Sequence, residues 1–123
     1  MTPTILSIED DQTYAEILQK SFERVGFRVL RSSHGEEGIK RAVQDSPDVI
    51  LLDIGLPKID GFEVLDALKA DDRTSGIPVF MLSKLSSRED VVRCFDLGCA
   101  DYFIKTQHHP DDIVQAILRR LEA

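Results

Sequence analysis

The stretch VILLDIGLPKIDG, Val49 to Gly61, holds four aliphatic residues, an aspartate, and then a segment rich in Gly, Pro and Asp. Four consecutive apolar positions without alternation predict a strand covered on both faces, the pattern of a central strand in a parallel sheet. Asp53 closes that strand. An unpaired carboxylate inside an apolar core is strongly disfavoured, so Asp53 is expected where the strand leaves the core. Beyond it, Lys58, Ile59 and Asp60 read as a turn, with Gly61 meeting a backbone requirement ahead of a helix.

The same alternation of strand and helix extends in both directions. TILSI (Thr4 to Ile8) is short and β-branched, and Tyr14, Ile17, Leu18, Phe22 and Val25 then recur at helical spacing until Gly26. FRVLR (Phe27 to Arg31) alternates apolar and basic residues as an edge strand does, and Ile39, Ala42 and Val43 mark a helix closed before Pro47. After the central stretch come a helix carrying Phe62, Leu65 and Leu68, then a second buried strand, PVFML (Pro78 to Leu82). Val91, Val92 and Phe95 follow on a helix that Gly98 terminates. DYFIK (Asp101 to Lys105) is the fifth strand, and Pro110 opens a last helix with Ile113, Ile117, Leu118 and Leu121 on one face. Five βα units with right-handed crossovers predict an α/β fold, a doubly wound five-stranded parallel sheet of Rossmann-like or flavodoxin-like type. Pattern alone leaves the strand order open.

A length of 123 residues with no linker or internal repeat predicts a single domain, 1–123. With 15 basic against 22 acidic residues the net charge is -7, which disfavours direct binding to nucleic acid or to an anionic membrane. No apolar run approaches the roughly 20 residues of a membrane span, and the N-terminus lacks the basic and apolar regions of a secretory signal, so a cytoplasmic location is expected. Cys94 and Cys99 match neither a redox CxxC nor paired zinc ligands and read as packed thiols. His34, His108 and His109 read as loop histidines on the surface.

In either doubly wound arrangement, the loops at the carboxyl ends of the strands converge on one crevice. Those loops carry Glu9, Asp10 and Asp11 after the first strand, Asp53 after the third, Ser83 and Lys84 after the fourth, and Lys105 after the fifth. Asp11 is placed to cap the first helix. Three further carboxylates, Glu9, Asp10 and Asp53, would repel one another unless a cation compensates them. Donors that are all oxygen favour a hard ion, Mg²⁺, over zinc.

These residues carry a resemblance over the whole chain to the receiver domain of two-component response regulators, the CheY-like family. EDD resembles the family's metal-binding acidic pair, carried onto Glu9 and Asp10, and LLDIGLPKIDG its phosphoacceptor segment, with Asp53 as acceptor. MLSK resembles the segment of the hydroxyl residue, here Ser83, and ADYFIK that of the switch aromatic and the lysine, here Tyr102 and Lys105. The resemblance implies the strand order 2-1-3-4-5 of a flavodoxin-like (βα)5 sheet. It also implies Mg²⁺ held by Glu9, Asp10, Asp53 and the Gly55 carbonyl, with Ser83 and Lys105 binding the phosphoryl oxygens.

The function so implied is a signalling switch. Asp53 would receive a phosphoryl group from a sensor histidine kinase or a histidine phosphotransfer protein. The face of the fourth helix, fifth strand and fifth helix would change in response, with a downstream effector protein or a second copy, in a phosphorylation-dependent dimer, reading it. The chain would be an enzyme only toward its own aspartate. Lys84 stands where the family usually has a small residue, and Thr106 where a proline commonly follows the lysine. Gly55 and Leu85 offer no polar group to orient water, so slow loss of the phosphoryl group is expected. One rival reading is a pseudo-receiver scaffold without phosphoryl transfer. Another is a haloacid-dehalogenase-type enzyme, which would want a second acid at Gly55.

Overall fold

Five parallel strands alternate with five helices in the computed structural model, which describes residues 2–84 and 87–122. The strands are β1 (Thr4–Ile8), β2 (Arg28–Ser32), β3 (Val49–Asp53), β4 (Val79–Ser83) and β5 (Asp101–Ile104). The helices are α1 (Gln12–Arg24), α2 (Gly35–Asp45), α3 (Gly61–Ala70), α4 (Arg88–Asp96) and α5 (Pro110–Glu122). The sheet order is β2-β1-β3-β4-β5, the flavodoxin-like arrangement. No described helix is long and apolar enough to cross a membrane.

Alternation along each central strand sorts the core into two layers. Val49 and Leu51 of β3, with Phe80 and Leu82 of β4, pack with Leu18 and Phe22 of α1 and Ile113 and Ile117 of α5. Ile50 and Leu52, with Val79 and Met81, turn to the other side, against Ala42 of α2, Leu65 and Leu68 of α3, and Cys94 of α4. Both layers are needed to bury β3 and β4 completely. The register sets Ile8 beside Leu52, Asp53 beside Leu82 and Ser83 beside Ile104, so these strands end at one level.

Three strand boundaries differ from the sequence reading by a residue. β2 begins at Arg28 because Phe27 belongs to the turn after Gly26, its ring edge-on to Phe22 at 5.1 Å. β4 runs from Val79 through Ser83, since Pro78 has no N–H to give a ladder. β5 stops at Ile104, and Lys105 begins the loop beyond it.

The apolar face of α4 also differs. Its inward side is Cys94, with Val91 half-buried, whereas Val92 and Phe95 are about half exposed, at 51% and 47%. Residues 91, 94 and 97 share the face toward the sheet at helical spacing, while 92 and 95 lie on the far side. Arg93 covers part of α3 instead, its guanidinium 4.2 Å from the Phe62 ring. On α1 likewise, Ile17 is exposed while Ala15, Leu18 and Phe22 are buried.

Candidate functional site

β1 and β3 are neighbours in the sheet, and each delivers a carboxylate to its carboxyl end. Strand parity continues past β1 to set Glu9 on the α1/α5 side, with Ile5, and sets Asp53 there too, in line with Val49 and Leu51. Lys105 follows Phe103 with the same parity. The three side chains therefore meet: the Lys105 ammonium donates to Glu9 Oε1 and, at 3.1 Å, to Asp53 Oδ2. All three are buried, with side-chain exposures of 7%, 1% and 8% for Lys105, Glu9 and Asp53.

Backbone donors complete the carboxylates. Gly55 N–H donates to Asp53 Oδ1 at 3.1 Å, and Asp11 N–H to Glu9 Oε2 at 3.1 Å. The loop after β3 then folds back on Asp53. Gly61 N–H bonds Ile54 O at 2.8 Å, so close that a Cβ on residue 61 would sit 2.5 Å from the Asp53 carbonyl oxygen. Only glycine fits at that contact, as the sequence leads one to expect. The approach itself turns through Lys58, which holds a left-handed φ of 65°.

Asp10 projects into solvent beside this buried trio. Carboxylate oxygens of Glu9, Asp10 and Asp53, one from each, lie within 4.8 Å of one another. They line a cleft of about 310 Å³ together with Ile54, Gly55, Ser83, Lys84 and Lys105. Burial, then the neighbouring Asp53, pushes the Glu9 carboxyl up to about 8, against the pull of Lys105. For Lys105, burial works against the charge, but the Glu9 hydrogen bond and the two acids outweigh it and hold the ammonium above its ordinary range. At neutral pH Glu9 therefore keeps its charge only where a further cation adds to Lys105.

Ser83 and Tyr102 have the opposite parity and lie together on the other side of the sheet's carboxyl end. Burial raises the Tyr102 phenol, and the nearby Ser83 side chain opposes that rise. The Ser83 carbonyl accepts the Lys105 N–H at 2.8 Å, linking the two groups of residues. Ser87, not Ser83, caps α4, accepting from Asp90 N–H at 3.1 Å. Asp11 caps α1 as expected. The described peptide bonds are all trans, Lys105–Thr106 included, and Thr106 Oγ1 donates to Lys84 O at 3.4 Å. Leu85 lies outside the described residues.

Tyr14 belongs to the site as well, although its place in the sequence suggests only core packing. Its ring lies 4.6 Å from the Lys105 ammonium, a cation–π contact. The signal was its position one helical turn past the acids at the start of α1. Of the histidines, His34 caps α2 and His109 is exposed, as loop residues would be. His108 is only partly on the surface: it is half-buried, edge-on to Phe103 at 5.6 Å, with Nδ1 accepting from Ile104 N–H at 3.1 Å. It thereby folds the loop after β5 back on that strand.

A doubly wound (βα)5 sheet that gathers acids and a lysine at the carboxyl edge of its inner strands has the build of a receiver-type α/β domain. The model of the response regulator receiver domain matches residues 5–118, and the chain belongs to that family. Among curated proteins it is 40% identical to the DNA-binding dual master transcriptional regulator RpaA of Synechocystis, over 98% of this chain and 51% of that one. The chain spans about half the length of the curated relatives it matches first. A putative response regulator from Chloroflexus aurantiacus superposes with a TM-score of 0.92 at 28% identity, covering both chains fully. The phosphorylated cyanobacterial phytochrome response regulator RcpA superposes at 0.86 with 27% identity, over 100% of this chain and 96% of that one.

Proposed function

We propose that this domain is a phosphoacceptor switch in which Asp53 takes a phosphoryl group from a phosphohistidine donor. The observation that carries the reading is the meeting of Glu9, Asp10 and Asp53 with Lys105 in one cleft, from three separate strand ends. Its likeness to a receiver solved in phosphorylated form supports the same reading.

The cleft fits a hard divalent cation. Its nearest donors are all oxygen, three carboxylates lie within ligating reach of one another, and two of them are buried. Glu9, Asp10, Asp53 and the Gly55 carbonyl would hold Mg²⁺. When bound, the ion neutralises the acids and the charge on the phosphoryl oxygens.

The chain's own residues do the rest. A carboxylate oxygen of Asp53 forms the new P–O bond as the P–N bond of the donor breaks, and the imidazole departs with the bonding pair. The transition state is loose and spreads charge over the equatorial oxygens, so positioned cations matter more than proton transfer. Lys105, already on Asp53, is placed to follow one such oxygen. Lys84 lines the same cleft and is exposed. Ser83 would turn its hydroxyl to another phosphoryl oxygen, and Tyr102 beside it would then resettle. That exchange would couple Asp53 to the α4/β5/α5 face, which an effector protein or a second copy reads. The upstream partner would be a sensor histidine kinase or a histidine phosphotransfer protein, in the cytoplasm, and the domain would have no catalytic turnover beyond its own aspartate.

Intact mass after incubation with acetyl phosphate and Mg²⁺ tests this. The protein is expected to gain one phosphoryl group and Asp53→Asn to gain none. Absence of any gain in the folded protein would favour a scaffold instead.

A further inference from the structure

Two thiols meet at the carboxyl end of α4, away from the acidic cleft. Gly98 N–H donates to Phe95 O and Cys99 N–H to Cys94 O, both at 3.0 Å, with Gly98 left-handed at φ 99°. This pair of bonds closes a Schellman turn, which brings the residue three before the cap against the second residue beyond it. An apolar pair ordinarily fills that contact. Here it is Cys94 and Cys99.

Five residues apart on a continuing helix, the two would point more than a third of a turn from each other. The left-handed glycine therefore creates the pairing. Both thiols are free and buried in the same apolar cluster, Cys94 fully and Cys99 with 8% of its surface exposed. Each thiol acts on the other: its Cys99 neighbour and burial push the Cys94 thiol up, and the Cys94 neighbour lowers that of Cys99. Cys99 is the more exposed of the two and has the Lys69 ammonium nearby, which makes it the more reactive sulfur.

We propose that Cys94 and Cys99 form a peroxide-responsive disulfide site that fastens the end of α4 to the segment entering β5. The Cys99 thiolate attacks one peroxide oxygen: an S–O bond forms, the O–O bond breaks, and hydroxide leaves. The Cys94 sulfur then attacks the sulfenic sulfur, forming S–S and breaking S–O, and its proton leaves with the second oxygen as water. Two thiols and one hydrogen peroxide give one disulfide and two waters. Two electrons pass from sulfur to oxygen, and a dithiol reductant reverses the change. The bridge closes a short loop that is already folded, so its effect falls on the mobility of this turn. Val92 and Phe95, on the exposed side of the same helix, move with it.

The test uses the native chain treated with hydrogen peroxide alone, then denatured and alkylated. The expected result is a monomer lighter by two hydrogens, with alkylatable thiols falling from two to none and returning after dithiothreitol. Amide exchange of Gly98 and Cys99 should slow in the oxidised form. Cys94→Ala should instead gain oxygen at Cys99. Should that variant fail to fold, the wild-type alkylation count decides alone. Two thiols still alkylatable at doses that oxidise a methionine, oxygen addition without loss of two hydrogens, or disulfide-linked dimers as the sole product would overturn the proposal.

Discussion

Lys105 has two acids for partners and almost no contact with solvent. Removing one member of a buried ion cluster leaves the others without compensation, a loss of about 3–5 kcal/mol. Lys105→Ala should therefore lower the free energy of urea unfolding at neutral pH by about 3 kcal/mol, the low end of that range, because Glu9 can take up a proton. The deficit should shrink as pH falls and the carboxyls protonate; an equal deficit at pH values that protonate both acids would refute the electrostatic account. The candidate residues themselves were legible one by one, because each ends a strand. Their grouping was not: alternation along a strand does not say which face is which, and only the packing and register put Glu9, Asp53 and Lys105 on one side and Ser83 and Tyr102 on the other. The Tyr14 contact was marked only by its place one helical turn past the acids, because an aromatic in the apolar stripe of α1 does not itself say what lies above its ring.

At the scale of elements, helix ends make predictions that can be checked separately. Asp60 and Glu63 form a capping box at the start of α3: Asp60 Oδ1 accepts from Glu63 N–H at 3.0 Å, and Glu63 reaches back to Asp60 N–H. Asp60→Ala should cost about 1 kcal/mol in thermal or urea unfolding, the usual loss for such a cap. Beyond the other end of α3, hydrogen bonds from Arg73 hold the Asp71 carboxyl down at about 2. A depressed acid contributes stability above its ordinary range and loses it as pH falls toward 2. Arg73 is well exposed and Asp71 about a third exposed, so the readout is the titration itself: in Arg73→Ala the Asp71 carboxyl resonance should titrate nearer the ordinary value. The central strands were legible because an unbroken apolar run has few other uses. α4 was legible as a helix but not in its buried face, because its nine residues place Cys94 rather than a large aliphatic at the centre of that face, and Val92 and Phe95 imitate a stripe that points outward.

For the whole molecule, the excess of acid is local as well as global. A net charge of -7 coexists with a cleft where three carboxylates face each other. An ion that binds only the folded form shifts the folding equilibrium, and at a hundred times its dissociation constant the gain is about 2.7 kcal/mol. Mg²⁺ should raise the unfolding midpoint accordingly, and Asp10→Asn should blunt the rise; an unchanged midpoint at saturating Mg²⁺ would count against the metal. The order of the strands was open to pattern reading and became definite through the family resemblance, because parallel strands of similar length carry no local record of which neighbour each will find. The Lys105 contacts bear on how the molecule comes into being. Its ammonium reaches across 96 residues to Glu9 and 52 to Asp53, from the last strand to be synthesised. A nascent polypeptide that has laid down β1 to β4 holds its acids without their counterion. The arrival of β5 at the sheet edge is thus the moment at which the two buried acids gain their shared ammonium, and a backbone cut in residues 87–100 would threaten that contact even though it spares every acid.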